Sequence, residues 1–174
     1  MPLLTGAERL ILSNQYRILE ALYPKEAKGI AHTREAIENG FELEYRAATQ
    51  HVNDGDDIMA AEECREVIDI LEMFSVLKRC YKSLPDKSGI DEAATHFEGF
   101  DGNNETKQVA YARHFCGDGD RFSDLDRGDN FNSHFPTLEP YRRMVAEWEK
   151  SPKKHQLSKE DLIRITSARR MNSK

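Results

Sequence analysis

The longest unbroken helical pattern in the sequence lies between Ala60 and Leu84. Apolar residues recur there every three or four positions, the spacing at which side chains share one face of an α-helix. They are Val67, Ile68, Ile70, Leu71, Phe74, Leu77 and Tyr81. Because this face extends over about six turns, we expect the helix to be largely buried and to organise the core.

Start and stop signals place further helices along the chain. Thr5 and Glu8 form a capping box for a first helix, which Pro24 ends, and Thr137 and Ser158 are the predicted N-caps of the last two. The expected apolar face of the first helix is made of Leu12, Tyr16, Leu19 and Tyr23. Between these ends, helices are predicted over residues 25–38, 60–84, 90–97 and 105–115, with a shorter one from Phe41.

The sequence predicts an all-α fold. No segment of five or more residues alternates apolar and polar positions in a β-rich composition. We expect a single-domain multihelical array of about seven helices with one long loop, residues 116–136. The domain is predicted to cover residues 1–168, followed by a polar, disordered tail at residues 169–174.

Charge and cysteine usage restrict the classes of partner, compartment and cofactor that we expect. The net charge is -6, yet residues 139–174 carry ten Lys or Arg against five Asp or Glu. This basic C-terminal segment is a candidate for nucleic-acid contact, although the acidic remainder opposes it. Three scattered cysteines and the lack of an apolar run of ~20 residues predict a cytoplasmic protein with reduced thiols, no membrane contact and no cofactor.

The segment Cys116–Phe135 contains five aspartates and raises the question of a metal site. A calcium loop needs glycine at its sixth position and a carboxylate at its twelfth, and neither Asp118 nor Asp124 starts a register that supplies both. His114 and Cys116 could ligate zinc but have no second pair nearby. We therefore predict no metal and a loop whose Asp and Gly residues serve turns.

Nine ordered pieces of the chain form a recognisable pattern. They are ERLILSNQY (residues 8–16), VIDILEMF (67–74), GFD (99–101), Tyr111 with Arg113, Arg121-Phe122, Phe131-Asn132, Tyr141 with Arg143-Met144, Trp148 and Leu157-Ser158. In these pieces the chain resembles the YfbU family of small bacterial proteins. The resemblance implies an all-helical, oligomeric protein of the bacterial cytoplasm, and it implies no particular reaction.

Four of these pieces supply candidate ligand-binding residues, Arg113, Arg121, Asn132 and Arg143. Three arginines converging near an asparagine could clamp a carboxylate or a phosphate. The alternative is that they anchor the long loop through bonds to its aspartates and backbone carbonyls. Within ERLILSNQY, the polar run 13–15 interrupts an apolar helix, which predicts either a helix–helix contact or a ligand pocket.

A catalytic alternative rests on Arg46 and His51. Their Arg-x4-His spacing matches that of HEPN-type ribonucleases, which are also helical bundles and act on phosphodiesters without a metal. Five residues turn a helix through about 140°, so the pair shares a face only if the helix ends or distorts there. The pattern is short, and a surface arginine and histidine explain it equally well.

The favoured function is therefore a non-catalytic binding or assembly protein that self-associates through helical surfaces. Its expected partners are copies of itself and an unidentified protein or small anion. The metal-independent ribonuclease using Arg46 and His51 is the first alternative, and nucleic-acid contact through the basic C-terminal segment is the second.

Overall fold

The computed structural model describes residues 4–44, 48, 52, 58–117, 121, 122, 124, 125, 128 and 130–170. In this part of the chain there are six α-helices and no β-strand, which confirms the all-α class. The helices are α1 (Gly6–Leu22), α2 (Ala27–Asn39), α3 (Ala61–Ser83), α4 (Thr106–Cys116), α5 (Leu138–Glu149) and α6 (Lys159–Ala168). The chain divides into two compact units, residues 1–58 and 59–174, which are described separately. The single domain over residues 1–168 stays a prediction.

The first unit is a hairpin of α1 and α2. The predicted capping box starts α1, since Glu8 N donates to Thr5 Oγ1 over 3.3 Å and Thr5 N donates to Glu8 Oε2 over 2.7 Å. Helix α2 ends at Gly40, whose φ of 75° is the left-handed cap that glycine adopts without strain. The N–H of Phe41 then reaches back to the carbonyl of Ala36 over 2.9 Å.

The second unit is built around α3, as the periodicity of Ala60–Leu84 predicted. Phe74, on the apolar face of this helix, packs in an aromatic cluster with Phe97, Phe100 and Tyr141. All four side chains are buried. The rings of Phe74 and Tyr141 lie 4.7 Å apart between centroids in an edge-to-face arrangement, and those of Phe97 and Phe100 lie 5.4 Å apart. Such pairs add about 0.5–1.5 kcal/mol beyond the burial of their surface.

The end of the predicted long loop is fixed to the core by backbone pairing. Phe100 N donates to Phe131 O over 2.9 Å, and Ser133 N donates to Phe100 O over 3.0 Å. Gly99 makes this approach possible, because a Cβ built at its position would lie 2.4 Å from the Phe131 carbonyl oxygen, and its φ is +92°. Leu125 is also buried, so apolar residues of the loop contribute to the core.

The prediction that the side chain of Thr137 caps α5 is wrong. Thr137 occupies the N-cap position, but its side chain makes no capping bond and donates instead to the carbonyl of Gly99 over 2.8 Å. The buried carboxylate of Glu105 replaces it, since Glu105 Oε1 accepts from the N–H groups of Thr137 (2.9 Å) and Leu138 (2.8 Å). A carboxylate from 32 residues earlier in the chain therefore starts this helix.

One predicted helix is shorter than expected, and another lies mostly outside the described residues. Residues 90–97 contain only a 3-10 turn at Ala93–Thr95. The stretch from Phe41 begins with a 3-10 turn at Glu42–Glu44, and most of residues 45–57 lie outside the described part.

Two residues of the predicted C-terminal tail, Arg169 and Arg170, are described. Arg170 Nη2 pairs with Asp91 Oδ2 over 2.7 Å.

Candidate functional site

A polar network joins the two helices of the first unit. Ser13 Oγ donates to Glu38 Oε1 over 2.6 Å, and Arg17 Nη2 donates to the same oxygen over 2.9 Å. Arg34 donates from Nη1 to the other Glu38 oxygen over 2.8 Å, and from Nε to Glu20 Oε1 over 2.6 Å. The helix–helix contact that the sequence predicted at Ser13 is therefore confirmed.

The carboxyl group of Glu38 is the electrostatic centre of this network. The hydrogen bond from Ser13, followed by those from Arg17 and Arg34, lowers the pKa of Glu38 from 4.5 to about 2. The contact between α1 and α2 thus has an ionic component. Among the described residues of this unit, only Ser13, Ala36 and Ile37 are buried.

The apolar residues of the first unit lie mostly on its outside. Eleven large apolar side chains are exposed in the described part of the chain, and ten of them belong to residues 4–58. The ten are Leu10, Ile11, Ile18, Leu19, Leu22, Tyr23, Phe41, Leu43, Val52 and Ile58. Large apolar surfaces of this kind mark interaction sites in folded proteins.

Four of these residues form one face of α1. Leu10, Ile11, Ile18 and Leu22 are 63%, 57%, 60% and 65% exposed, respectively. At 100° per residue they fall within an arc of about 120°, whose centre is turned roughly 120° away from Ser13. We call these four residues the α1 face.

The α1 face was not predicted from the sequence. The predicted apolar face of this helix was made of Leu12, Tyr16, Leu19 and Tyr23. Leu12 and Tyr16 are half-buried, whereas Leu19 and Tyr23 are exposed. The available signal was the second apolar series within LILSNQYRIL, which shows that α1 has apolar residues on two sides rather than one.

A cavity of about 360 Å³ lies beside the α1 face, with Arg9, Leu10, Asn14 and Arg17 in its lining. In the described part of the chain, Arg9 Nε is the one buried side-chain nitrogen or oxygen without a hydrogen-bond partner. Leaving such a donor unpaired costs about 1–3 kcal/mol.

Two of the four residues predicted to bind a ligand hold backbone carbonyls of their own chain. Arg113 Nε donates to Asn130 O over 2.8 Å, within the long loop. Arg143 donates from Nε to Ala168 O over 3.1 Å and from Nη2 to Arg169 O over 2.9 Å, at the end of α6. The Arg113 contact agrees with the alternative in which the arginines anchor the long loop, whereas Arg143 holds the end of α6.

The other two predicted residues also have internal contacts. Asn132 Oδ1 accepts from Gly102 N and His134 N, each over 3.0 Å, and so bridges two turns. The guanidinium of Arg121 lies over the Phe115 ring, 5.1 Å from its centroid. Of the four, Arg121 lines a cavity of about 490 Å³, together with Arg79, His155 and the rings of Phe115 and Phe122. Ligand binding by this set stays a prediction.

A third cavity, of about 410 Å³, lies between α3 and α5 and is acidic. Glu62, Glu66, Asp69 and Glu149 line it, and Arg142 Nε pairs with Glu66 Oε1 over 2.6 Å. Burial, followed by repulsion from Glu149 and Glu72, raises the pKa of Asp69 above its ordinary value. In the described residues, no group of three or more His, Cys, Asp or Glu side chains is placed to hold a metal ion.

Other predicted features lie outside the described residues. They include Arg46 and His51 of the ribonuclease hypothesis, the aspartates at 118, 120, 126 and 129, and the last residues of the basic segment, 171–174. Asp124 is described and pairs with Lys78, whose Nζ lies 3.6 Å from Asp124 Oδ2. None of the described helices combines the length and the apolar character needed to cross a membrane.

Comparison with known families agrees with the pattern found in the sequence. The model of the YfbU domain matches residues 2–168 of the 174-residue chain. The match covers most of both compact units and all six helices described above. The chain therefore belongs to the YfbU family.

Proposed function

We propose that this protein is a non-catalytic assembly protein that associates with copies of itself through the α1 face. The observation that carries the proposal is the exposure of Leu10, Ile11, Ile18 and Leu22, each more than half exposed, on one side of a single helix. Removing this surface from water would supply the driving force for association.

The size of the α1 face suits a protein interface. Four half-exposed aliphatic side chains offer roughly 100 Å² each, or about 400 Å² in total. One partner in a standard interface contributes about 800 Å², of which somewhat more than half is apolar. The α1 face alone thus supplies most of the apolar surface that one partner needs, and neighbouring polar residues of α1 would complete the rim.

The architecture of the first unit supports a second helical hairpin as the occupant. Ala36 and Ile37 are the buried apolar side chains among the described residues of this unit, so its apolar core is small for two packed helices. Two such hairpins placed face to face would form a four-helix arrangement with a shared core. Self-association would therefore give this unit a larger apolar core.

The charge of this unit argues against a membrane surface as the occupant. Residues 4–44 contain seven Glu and five Lys or Arg. Helices that lie on membranes usually have a polar face rich in Lys and Arg, because anionic lipids attract positive charge. A nearly balanced set of charges is better suited to a protein partner of the same composition.

Sedimentation velocity on three proteins tests the proposal. Ile18→Glu places a charge on the α1 face, and Phe135→Glu places the same charge on a side chain of the second unit that is 48% exposed. We expect the unchanged protein and Phe135→Glu to sediment as the same oligomer and Ile18→Glu as a monomer with unchanged helix content. A monomer in all three cases would contradict the proposal, and so would an oligomer that survives Ile18→Glu.

A further inference from the structure

The residues of α1 are arranged almost symmetrically about Asn14. Seven positions before and after it are Ala7 and Ala21, and four positions before and after it are Leu10 and Ile18. All five residues are exposed, with Leu10 at 63% and Ile18 at 60%. At 100° per residue they fall within an arc of about 80°, so they form a single stripe along the helix.

A pattern of this kind fits a two-fold axis. When two identical helices pack antiparallel, the residue k positions before the centre of one lies opposite the residue k positions after the centre of the other. Asn14 would then face Asn14 of the second copy, Leu10 would face Ile18, and Ala7 would face Ala21. The Leu10–Ile18 and Ala7–Ala21 contacts each occur twice and the Asn14–Asn14 contact occurs once on the axis, and each joins residues of matching size and polarity.

The side chain of Asn14 can form hydrogen bonds with the Asn14 side chain of a second copy. Its side-chain amide both donates and accepts hydrogen bonds, so two asparagines on a two-fold axis can satisfy each other. In the described part of the chain no hydrogen bond is made by the side chain of Asn14, whereas the hydroxyl of the adjacent Ser13 donates to Glu38. A polar residue centred in an apolar stripe also fixes the register, because any slip would bury an unpaired amide.

The ends of the stripe allow the two helices to come close. Ala7 and Ala21 have the small side chains that let helix axes approach to the short end of the 8–10 Å range of packed helices. An antiparallel pair also places the positive end of each helix dipole beside the negative end of the other. Ile11 and Leu22, the remaining residues of the α1 face, widen the stripe along one side.

We propose that two copies of this chain pack their α1 helices antiparallel, with the Asn14 side chains paired on the two-fold axis. This inference rests on the proposed self-association and specifies its geometry. The stripe of Ala7, Leu10, Asn14, Ile18 and Ala21 forms the seam between the two copies, and the Asn14 pair sets its register.

Cysteine cross-linking in the full-length protein tests the geometry. The variants are Asn14→Cys, Ala7→Cys and Ala21→Cys, oxidised mildly and separated without reductant. The unchanged protein, which retains Cys64, Cys80 and Cys116, serves as the background. We expect Asn14→Cys to form covalent dimers well above this background. Ala7→Cys and Ala21→Cys should cross-link when co-expressed as chains of different tagged mass, but neither should do so alone.

The outcomes separate this inference from the proposed function. Cross-linking of Ala7→Cys with itself would indicate parallel helices and overturn the antiparallel seam while leaving self-association intact. A dimer by light scattering with no cross-link at any of the three positions would place the interface elsewhere and overturn the inference. A monomer by light scattering would remove the proposed function and, with it, the seam.

Discussion

The two compact units of this chain use their apolar residues in opposite ways. Residues 59–174 place Phe74, Phe100 and Tyr141 fully inside, around the buried helix α3. Residues 1–58 join α1 to α2 through Glu38 and its partners and leave ten large apolar side chains exposed. The difference shows that the apolar residues of a helix, read from the sequence alone, do not reveal whether they will be buried or exposed.

The largest expected effect breaks the core of the second unit. Phe74→Ala removes a ring that contacts both Phe97 and Tyr141, and we expect the free energy of unfolding to fall by about 3–5 kcal/mol. Leu43→Ala in the first unit is the control, because Leu43 is 90% exposed and its loss should cost less than about 0.5 kcal/mol. Urea denaturation followed by circular dichroism measures both. Equal losses would contradict the contrast between the units.

A smaller effect concerns the carboxylate that starts α5. Glu105→Ala leaves the N–H groups of Thr137 and Leu138 without their acceptor, and we expect a loss of about 3 kcal/mol in unfolding free energy. Glu139→Gln provides the comparison, since Glu139 pairs with Arg142 on the surface and should contribute less than about 1 kcal/mol. If Glu105→Ala costs no more than Glu139→Gln, Glu105 is not the cap.

A third substitution tests the ionic contact of the first unit. Ser13→Ala removes the hydroxyl that donates to Glu38, and we expect local stability to fall by about 1 kcal/mol. Hydrogen exchange of peptides from residues 6–39 detects this loss without requiring global unfolding. Gln15→Ala, on an exposed position of the same helix, should leave the exchange unchanged. Faster exchange in Gln15→Ala, with unchanged exchange in Ser13→Ala, would show that the hydrogen bond from Ser13 to Glu38 does not hold α1 in place.

The smallest expected effect is a pH dependence of the same contact. Because the folded pKa of Glu38 is about 2 and its ordinary value is 4.5, the network stabilises the hairpin fully above pH 4.5. That contribution is lost as the pH falls toward 2. An NMR titration of the Glu38 side chain should show a midpoint near 2, and Ser13→Ala should raise it. A midpoint near 4.5 in the unchanged protein would contradict the network.

Patterns within one helix could be predicted from the sequence, and contacts between distant residues could not. The spacing of Val67, Leu71 and Phe74 predicted a buried helix over residues 60–84, and α3 spans Ala61–Ser83. The capping box at Thr5 was equally local and was also confirmed. These features depend on neighbours three or four residues apart, which the sequence displays directly.

The errors have a common physical origin. Thr137 was assigned the cap of α5, but Glu105 supplies it from a distant part of the chain, where no local pattern indicates the contact. On α1 the predicted apolar series is the less exposed of two, and the exposed α1 face was missed because only tertiary structure decides which series is covered. Arg113 and Arg143 were predicted either to bind a ligand or to anchor the long loop; both donate to backbone carbonyls of their own chain, and ligand binding by them stays a prediction.

The central claim is that a second copy covers the α1 face, and the molar mass in solution tests it most directly. Light scattering across about 1–100 µM, a range that covers weak and moderate self-association, should give about twice the chain mass of 20.0 kDa, or a larger multiple. A constant mass of 20.0 kDa over the whole range would contradict the account.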